Sequence, residues 1–317
     1  MTWIARSGIS MPMSAIPSSW ELVSVVCKLL MYLGTASSLG GAFCLFMYGD
    51  GRRVTVQRVL LLQLFGALLS LQAVVISFLA QVGLINNAGV GGALDWTMAQ
   101  ILMDTPLGDL SLYRLLGFAV LICSAGFFYR QTLMMNQAPS RYFYMNLLRI
   151  NAIGFMLLLW AFRFGGHVSV LTAPVQLALA VHFTVFALWI GSLYPLLLIS
   201  STDNLSELQL TLNRFSNHAI VIVIVLLIAG GLLALNLVHS LTELISTAYG
   251  RALAFKLFLV LALLGIAALN KFKLVPALLL IRSSDKFRHS VRVEILVASL
   301  LLLLTAYLST VVGPMMH

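Results

Sequence analysis

Eight long apolar runs dominate this sequence and leave few folds open to it. Each run is long enough to cross a lipid bilayer, which takes about 20 apolar residues. Lipid offers no hydrogen-bond partner to backbone amides, and a closed barrel would require short alternating strands, so each run is predicted to be helical. The fold class is therefore an all-α integral membrane protein with eight transmembrane helices. The runs cover roughly residues 21–48, 57–84, 110–129, 142–163, 174–199, 216–239, 251–270 and 291–312.

The composition favours a membrane protein and argues against a nucleic-acid partner. Of the 317 residues, 61% are hydrophobic and 9% are charged, and the formal net charge is +9. Such a charge could indicate nucleic-acid binding, but the basic residues lie in short links between the apolar runs. That distribution is typical of membrane topology. We therefore predict contact with membrane lipids and no nucleic-acid partner.

The positions of Lys and Arg predict the orientation of the chain. Most of them fall in the links after the first, third, fifth and seventh runs. Because cytoplasmic links carry the excess of Lys and Arg, both termini of this multi-pass protein are predicted to lie outside the cytoplasm, which is the periplasm in a Gram-negative host. Three basic residues fall within spans, and we expect them to reach the outer headgroups with their charged ends; they are Lys28, Arg114 and Lys256.

A weak internal repeat divides the chain into two halves. The segment 105–108, Thr-Pro-Leu-Gly, is followed six residues later by Arg114. The segment 247–250, Thr-Ala-Tyr-Gly, is followed at the same distance by Lys256. Both segments enter an inward-running helix, which is compatible with a four-plus-four parallel repeat. The predicted organisation is a periplasmic tail and two four-helix membrane halves, over residues 1–20, 21–163 and 164–317.

His182 is the leading candidate for a functional residue. It lies eight residues after Pro174, about 12 Å into its helix. An ionisable side chain inside a span is costly and usually faces the bundle interior or an aqueous path. Neutral imidazole is a good ligand for copper, zinc and haem iron, whereas the alternative is a histidine that merely packs against a neighbouring helix. Trp189, seven residues further on, shares its helix face.

Other candidate metal ligands lie on the same predicted side of the membrane. His167 ends the fourth run, His239 ends the sixth, and Met98 and Met103 lie in the outer loop 85–109. Thioether and imidazole together suit copper, especially Cu(I). The sequence therefore predicts a copper site from His167, His182, His239, Met98 and Met103, although solvated histidines and packing methionines remain the alternative reading.

A series of short motifs runs in order through the second half of the chain. Their order and spacing over roughly residues 163–312 resemble the copper resistance protein D family of bacterial inner-membrane proteins. The first half resembles it in its four-span layout and in the segment 105–114. The motifs are Gly166-His167, His182 with Trp189-Ile190-Gly191, Arg214-Phe215-Ser216, Tyr249-Gly250-Arg251 with Lys256, Asn270 with Pro276, and Arg292 with Glu294.

The resemblance implies a protein that moves copper from periplasm to cytoplasm, often beside a small periplasmic copper carrier. It implies His167 and His182 as candidate ligands. A histidine would be expected early in the first helix, where this chain has Lys28. Family-signature residues without an assigned role are Trp189, Arg214, Tyr249, Arg251, Lys256, Asn270 and Glu294.

Three functions stay open on the sequence. The leading hypothesis is a copper transporter, not an enzyme, that takes copper ions from the periplasmic side. The second is a membrane redox enzyme holding haem b, similar in layout to a membrane protoporphyrinogen oxidase family, because bundle histidines are also axial haem ligands. The third is a non-catalytic subunit that docks a partner on the loop 85–109 or the segment 271–290.

Overall fold

Eight long helices account for nearly all of the described chain. The computed structural model describes residues 17–86, 89–165, 172–237 and 248–312. All eight helices are long and apolar enough to cross a membrane, and no strand occurs in these ranges. This confirms the predicted all-α membrane fold. The helices are α1 (Ser19–Tyr48), α2 (Arg53–Asn86), α3 (Pro106–Met134), α4 (Arg141–Ala161), α5 (Ala173–Ile199), α6 (Leu205–Leu237), α7 (Ala248–Leu269) and α8 (Asp285–Tyr307).

Polar capping residues set several helix starts. Ser18 and Glu21 form a capping box at the start of α1, in which each side chain bonds the backbone amide of the other. The Thr105 hydroxyl accepts from the amide of Leu107, and Pro106 occupies the first turn of α3. Caps satisfy amides that lack a partner within the helix. They explain why α3 begins at Pro106 and not near residue 110.

α6 begins at Leu205, well before the predicted run near residue 216. Leu205, Leu208, Leu212 and Phe215 recur at helical spacing and pack into the largest apolar cluster of the protein. Polar residues between them conceal this helix from a search for continuous hydrophobicity. His218, which falls within the predicted run, therefore lies thirteen residues after the first residue of α6.

Arginines tie together three helix ends at one end of the bundle. We call the end at which α1 begins the outer end and the opposite end the inner end. Between α1 and α2, Arg52 donates to the carbonyls of Leu198 and Ser201 at the end of α5, and Arg53 donates to the carbonyl of Met135 after α3. Cations favour helix C-termini because unpaired carbonyls point outward there. α1, α3 and α5 therefore all run from the outer to the inner end.

α1 and α5 meet at small residues, and this contact joins the two halves. Ala36 and Gly40 on α1 lie against Ala187 and Gly191 on α5. A Cβ on Gly40 would overlap the Ala187 carbonyl oxygen, and one on Gly191 would overlap the Ala36 carbonyl oxygen. Two small residues four apart on each helix let membrane helices approach this closely. The Ser192 hydroxyl adds a hydrogen bond of 3.3 Å to the Gly40 carbonyl.

The outer loop is tied to α2 through Asp95. Its carboxylate caps the short helix Trp96–Met103 by accepting from the Met98 amide at 3.0 Å, and it accepts from the Asn86 side-chain amide at 3.0 Å. The pKa of the Asp95 carboxyl is lowered from its usual 3.8. The hydrogen bond from the Met98 backbone amide is the largest cause, and the hydrogen bond from Asn86 is the next. The cap is therefore strongest with the carboxyl ionised.

Gly191→Ala is expected to destabilise the bundle, because the new methyl group must separate α5 from the α1 backbone. The cost should be about 1–3 kcal/mol in the free energy of unfolding, the range for overpacked sites. Gly265→Ala on α7 is the matched control, since nothing lies within 4 Å of its added Cβ, and it should be neutral or stabilising by less than about 1 kcal/mol. Reversible unfolding in mixed detergent micelles measures both. Equal effects of the two substitutions would contradict the proposed close contact.

Asp95→Ala should loosen the short outer helix without disturbing the spans. Amide hydrogen exchange in residues 96–103 should become a few-fold to about tenfold faster, as for the loss of a helix cap. Asp104→Ala, at the other end of this helix, is the control. Because the pKa of Asp95 is lowered, the wild-type protection should hold above about pH 4 and fall as the pH drops through the lowered pKa. Protection in Asp95→Ala that equals wild type would argue against the cap.

Candidate functional site

His182 faces α6 from α5, with one ring nitrogen engaged. Its Nδ1 lies 3.2 Å from the carbonyl oxygen of Leu226, and the ring packs over Gly230, where an added Cβ would come within 3.0 Å of Cε1. A carbonyl oxygen accepts but cannot donate, so Nδ1 carries the proton in this contact. In the neutral ring, Nε2 then holds a free lone pair. Histidines that bind a metal through one ring nitrogen are commonly oriented in this way, by donating the other ring N–H to a backbone carbonyl.

Lys256 brings α7 to the same place. It is half-buried on α7 and close enough to His182 for their charges to interact. The site is thus built by α5, α6 and α7, and it joins the leading metal candidate to a family-signature residue. That Lys256 reaches the outer headgroups stays a prediction; in the structure its charge interacts with the imidazole.

Three family-signature residues meet in a buried polar cluster nearer the inner end. Glu294 on α8 is 3% exposed, and its Oε2 accepts from the Asn270 side-chain amide at 2.9 Å. The Trp189 indole on α5 lies close enough to the carboxylate to interact with it electrostatically. Both partners are neutral donors. A carboxyl group this deep in a membrane bundle is costly and therefore marks a functional candidate.

Asn270 gives this cluster spare acceptor capacity. It opens a π-helical turn, Asn270–Leu274, that follows α7, and such turns are frequent at functional sites. Its Oδ1 is buried and has no hydrogen-bond partner within the described chain. The cluster therefore presents a carboxylate and an amide oxygen, both of which are ligands or relay groups for a cation.

A tyrosine–histidine pair in the inner half was missed by the sequence analysis. The Tyr48 hydroxyl, at the end of α1, lies 2.6 Å from Nδ1 of His218 on α6. One turn earlier on α1, the Cys44 thiol hydrogen-bonds Ser192. Cys44, Tyr48 and Trp189 belong to one apolar cluster. Tyr48 ends the first predicted run and His218 lies near the start of the sixth, so their shared depth at the inner side was the signal available in the sequence.

The predicted five-residue copper site is not assembled by the described residues. Met98 packs against buried Ala99 and Leu102, and Met103 is half exposed at the outer end. His167 and His239 lie outside the described residues. Across the described ranges, no group of three or more His, Cys, Asp or Glu side chains could hold a metal ion. Of the predicted ligands, His182 is the one that the structure places in the bundle.

The remaining signature residues lie apart from these clusters. Arg214 is exposed on α6, and Arg251 is exposed in the first turn of α7. Tyr249 is in that same turn. The structure therefore separates buried Trp189, Asn270 and Glu294 from exposed Arg214 and Arg251.

Ionisable pairs occupy corresponding positions in the two halves. Lys28 lies nine residues after the start of α1, and His182 lies nine residues after the start of α5. Arg114 lies eight residues after the start of α3, and Lys256 lies eight residues after the start of α7. Lys28 interacts electrostatically with Arg114, as His182 does with Lys256. The α1–α5 contact places Gly40 against Gly191, whereas counting from the helix starts matches residue 40 with residue 194, a difference of three residues or about one turn. This correspondence supports the predicted parallel repeat.

The fold and these clusters define a multi-pass α-helical membrane protein with ionisable groups in its interior. The family model for copper resistance protein D matches residues 209–308, from α6 to the end of α8. The match is consistent with a member of that family and confirms the predicted resemblance. It includes Leu226, Lys256, Asn270 and Glu294 but not His182 or Trp189. No curated protein and no solved structure matches the chain significantly.

Asn270→Ala should weaken the buried cluster, because Glu294 loses the hydrogen bond from the Asn270 amide. The expected cost is about 1–3 kcal/mol in the free energy of unfolding, as for a buried polar group left with too few partners. Asn217→Ala, which removes an exposed amide on α6, is the control and should change little. Thermal unfolding in detergent measures both. No difference between the two would show that Asn270 does not support Glu294.

Proposed function

We propose that this protein carries copper across the bacterial inner membrane, from the periplasmic side toward the cytoplasm, as a transporter and not as an enzyme. The observation that carries the proposal is the free Nε2 of His182, oriented inside the bundle by the Leu226 carbonyl. Imidazole nitrogen is a good copper ligand. The match to a copper resistance family supports copper as the cargo.

α5 supplies the direction of the proposed route. Trp189 follows His182 by seven residues on the same helix face, about 10.5 Å closer to the inner end. Its indole lies beside Glu294, so a cation that leaves His182 inward approaches a buried carboxylate. Negative charge of this kind offsets the cost of a cation in low dielectric. The Tyr48–His218 pair lies further toward the inner end.

The outer loop is the proposed place of loading. Met103 is half exposed at the end of the short outer helix, and an accessible thioether can accept Cu(I) from another protein. We propose a small periplasmic copper carrier as the donor. His182 then receives the ion after it enters between α5, α6 and α7.

His182→Ala should abolish most copper accumulation by cells that express the protein, because it removes the proposed ligand. The loss in copper affinity should be at least about tenfold, since even outer-shell changes cost that much. His289→Ala, at an exposed position on α8, is the control. Cellular copper is measured by mass spectrometry at matched membrane levels of each variant.

Unchanged accumulation in a well-expressed His182→Ala variant would contradict the proposal. The optical spectrum of the purified protein separates copper from haem. After haem-replete expression, a Soret band that His182→Ala removes would assign His182 to haem binding and overturn the copper route.

A further inference from the structure

A second ionisable cluster lies in a pocket that the copper route does not use. The pocket opens near the outer end between α1, α3, α4 and α5. Lys28 and Tyr32 reach it from α1 and Arg114 from α3, while Phe118 and Phe183 form part of its apolar wall. A polar floor beneath aromatic walls is typical of a site for an amphiphilic ligand.

The two cations in this pocket have no described acidic partner. The Lys28 ammonium donates to the Ser309 carbonyl at 2.9 Å and to its hydroxyl at 3.3 Å, which anchors it to the end of α8. Arg114 interacts electrostatically with Lys28 and with Tyr32. Within the described ranges, the ion pairs are Arg52 with Asp50 and Arg288 with Asp285, both remote from this pocket.

Two neighbouring positive charges in a membrane bundle require compensation. Like charges repel strongly where water is scarce, and a buried charge is normally paired. The carbonyl and hydroxyl of Ser309 provide dipoles but no countercharge. The position of Lys28 is not explained by free extension to the headgroups either, because its ammonium is held by α8.

We propose that this pocket binds a phosphate oxyanion between Lys28 and Arg114. The planar guanidinium matches phosphate oxygens in a bidentate fashion, and the ammonium adds a point charge. Tyr32 lines the same pocket and offers a hydroxyl donor, whereas the Thr35 hydroxyl donates to the Met31 carbonyl within α1. The apolar wall suits the acyl region of an anionic lipid whose headgroup supplies the phosphate, and free inorganic phosphate is the other source of the same chemistry.

The test compares thermal unfolding of the full-length protein in two settings. In the first, the protein is placed in nanodiscs of phosphatidylcholine with or without phosphatidylglycerol. In the second, it is kept in uncharged detergent and titrated with inorganic phosphate. Wild type is compared with Arg114→Gln and Lys28→Gln. The control is Lys273→Gln, which removes one positive charge at an exposed position outside the pocket.

Stabilisation of wild type by phosphatidylglycerol alone, weakened in Arg114→Gln and Lys28→Gln but not in Lys273→Gln, would assign the site to a lipid headgroup. Saturable stabilisation by inorganic phosphate with the same pattern would assign it to a free oxyanion. Affinity should fall about tenfold or more in each pocket variant, as for the loss of a charged hydrogen bond. Native mass spectrometry of the wild type counts bound phosphatidylglycerol independently, and Arg114→Lys should retain part of the binding.

Equal responses of wild type and the pocket variants to both additives would overturn the proposal. If Arg114→Gln does not fold, the site is tested by the binding that Arg114→Lys retains and by the number of phosphatidylglycerol molecules bound to wild type. Wild type that retains no phosphatidylglycerol and does not respond to phosphate refutes the site. Copper accumulation is a separate readout, so this inference can fail while the copper proposal stands.

Discussion

The contact between α1 and α5 determines how the interior of this protein is arranged. Gly40 and Gly191 let the two backbones meet at a distance that no side chain would allow. The contact fixes the rotation and depth of α5, and α5 carries both His182 and Trp189. With α5 fixed in this way, one of its residues is directed toward α6 and α7, and the other toward Glu294 on α8.

Charge is distributed unevenly along the bundle. Basic groups lie toward the outer end of both halves, namely Lys28 with Arg114 and His182 with Lys256. Among the described carboxyl groups, Glu294 is the one that lies deeper than the first turn of a spanning helix. A copper ion on the proposed route would therefore pass from a basic region to an acidic one. An oxyanion bound at Lys28 and Arg114 would reduce the positive potential that the ion meets on entry. The two proposals are thus physically compatible although they are tested separately.

The sequence predicted the fold well because the bilayer leaves so few solutions to an apolar chain. All eight spans were located from hydrophobicity, and the family resemblance selected Trp189, Asn270 and Glu294 without indicating that they meet. Their contact depends on how α5, α7 and α8 rotate against each other, which linear spacing does not specify. The start of α6 was placed too late because its first turns are amphipathic and interrupt the apolar run. Helical periodicity and continuous hydrophobicity are different signals, and both are needed at the inner end.

Copper K-edge X-ray absorption on purified protein loaded with Cu(I), wild type beside His182→Ala, tests the central claim most directly. Imidazole coordination produces a distinct multiple-scattering pattern, and the free Nε2 of His182 predicts that wild type shows this pattern. The account predicts that His182→Ala loses it, together with most of the bound copper. The same imidazole signal and the same copper content in both proteins would show that His182 is not a ligand and that the proposed route does not begin there.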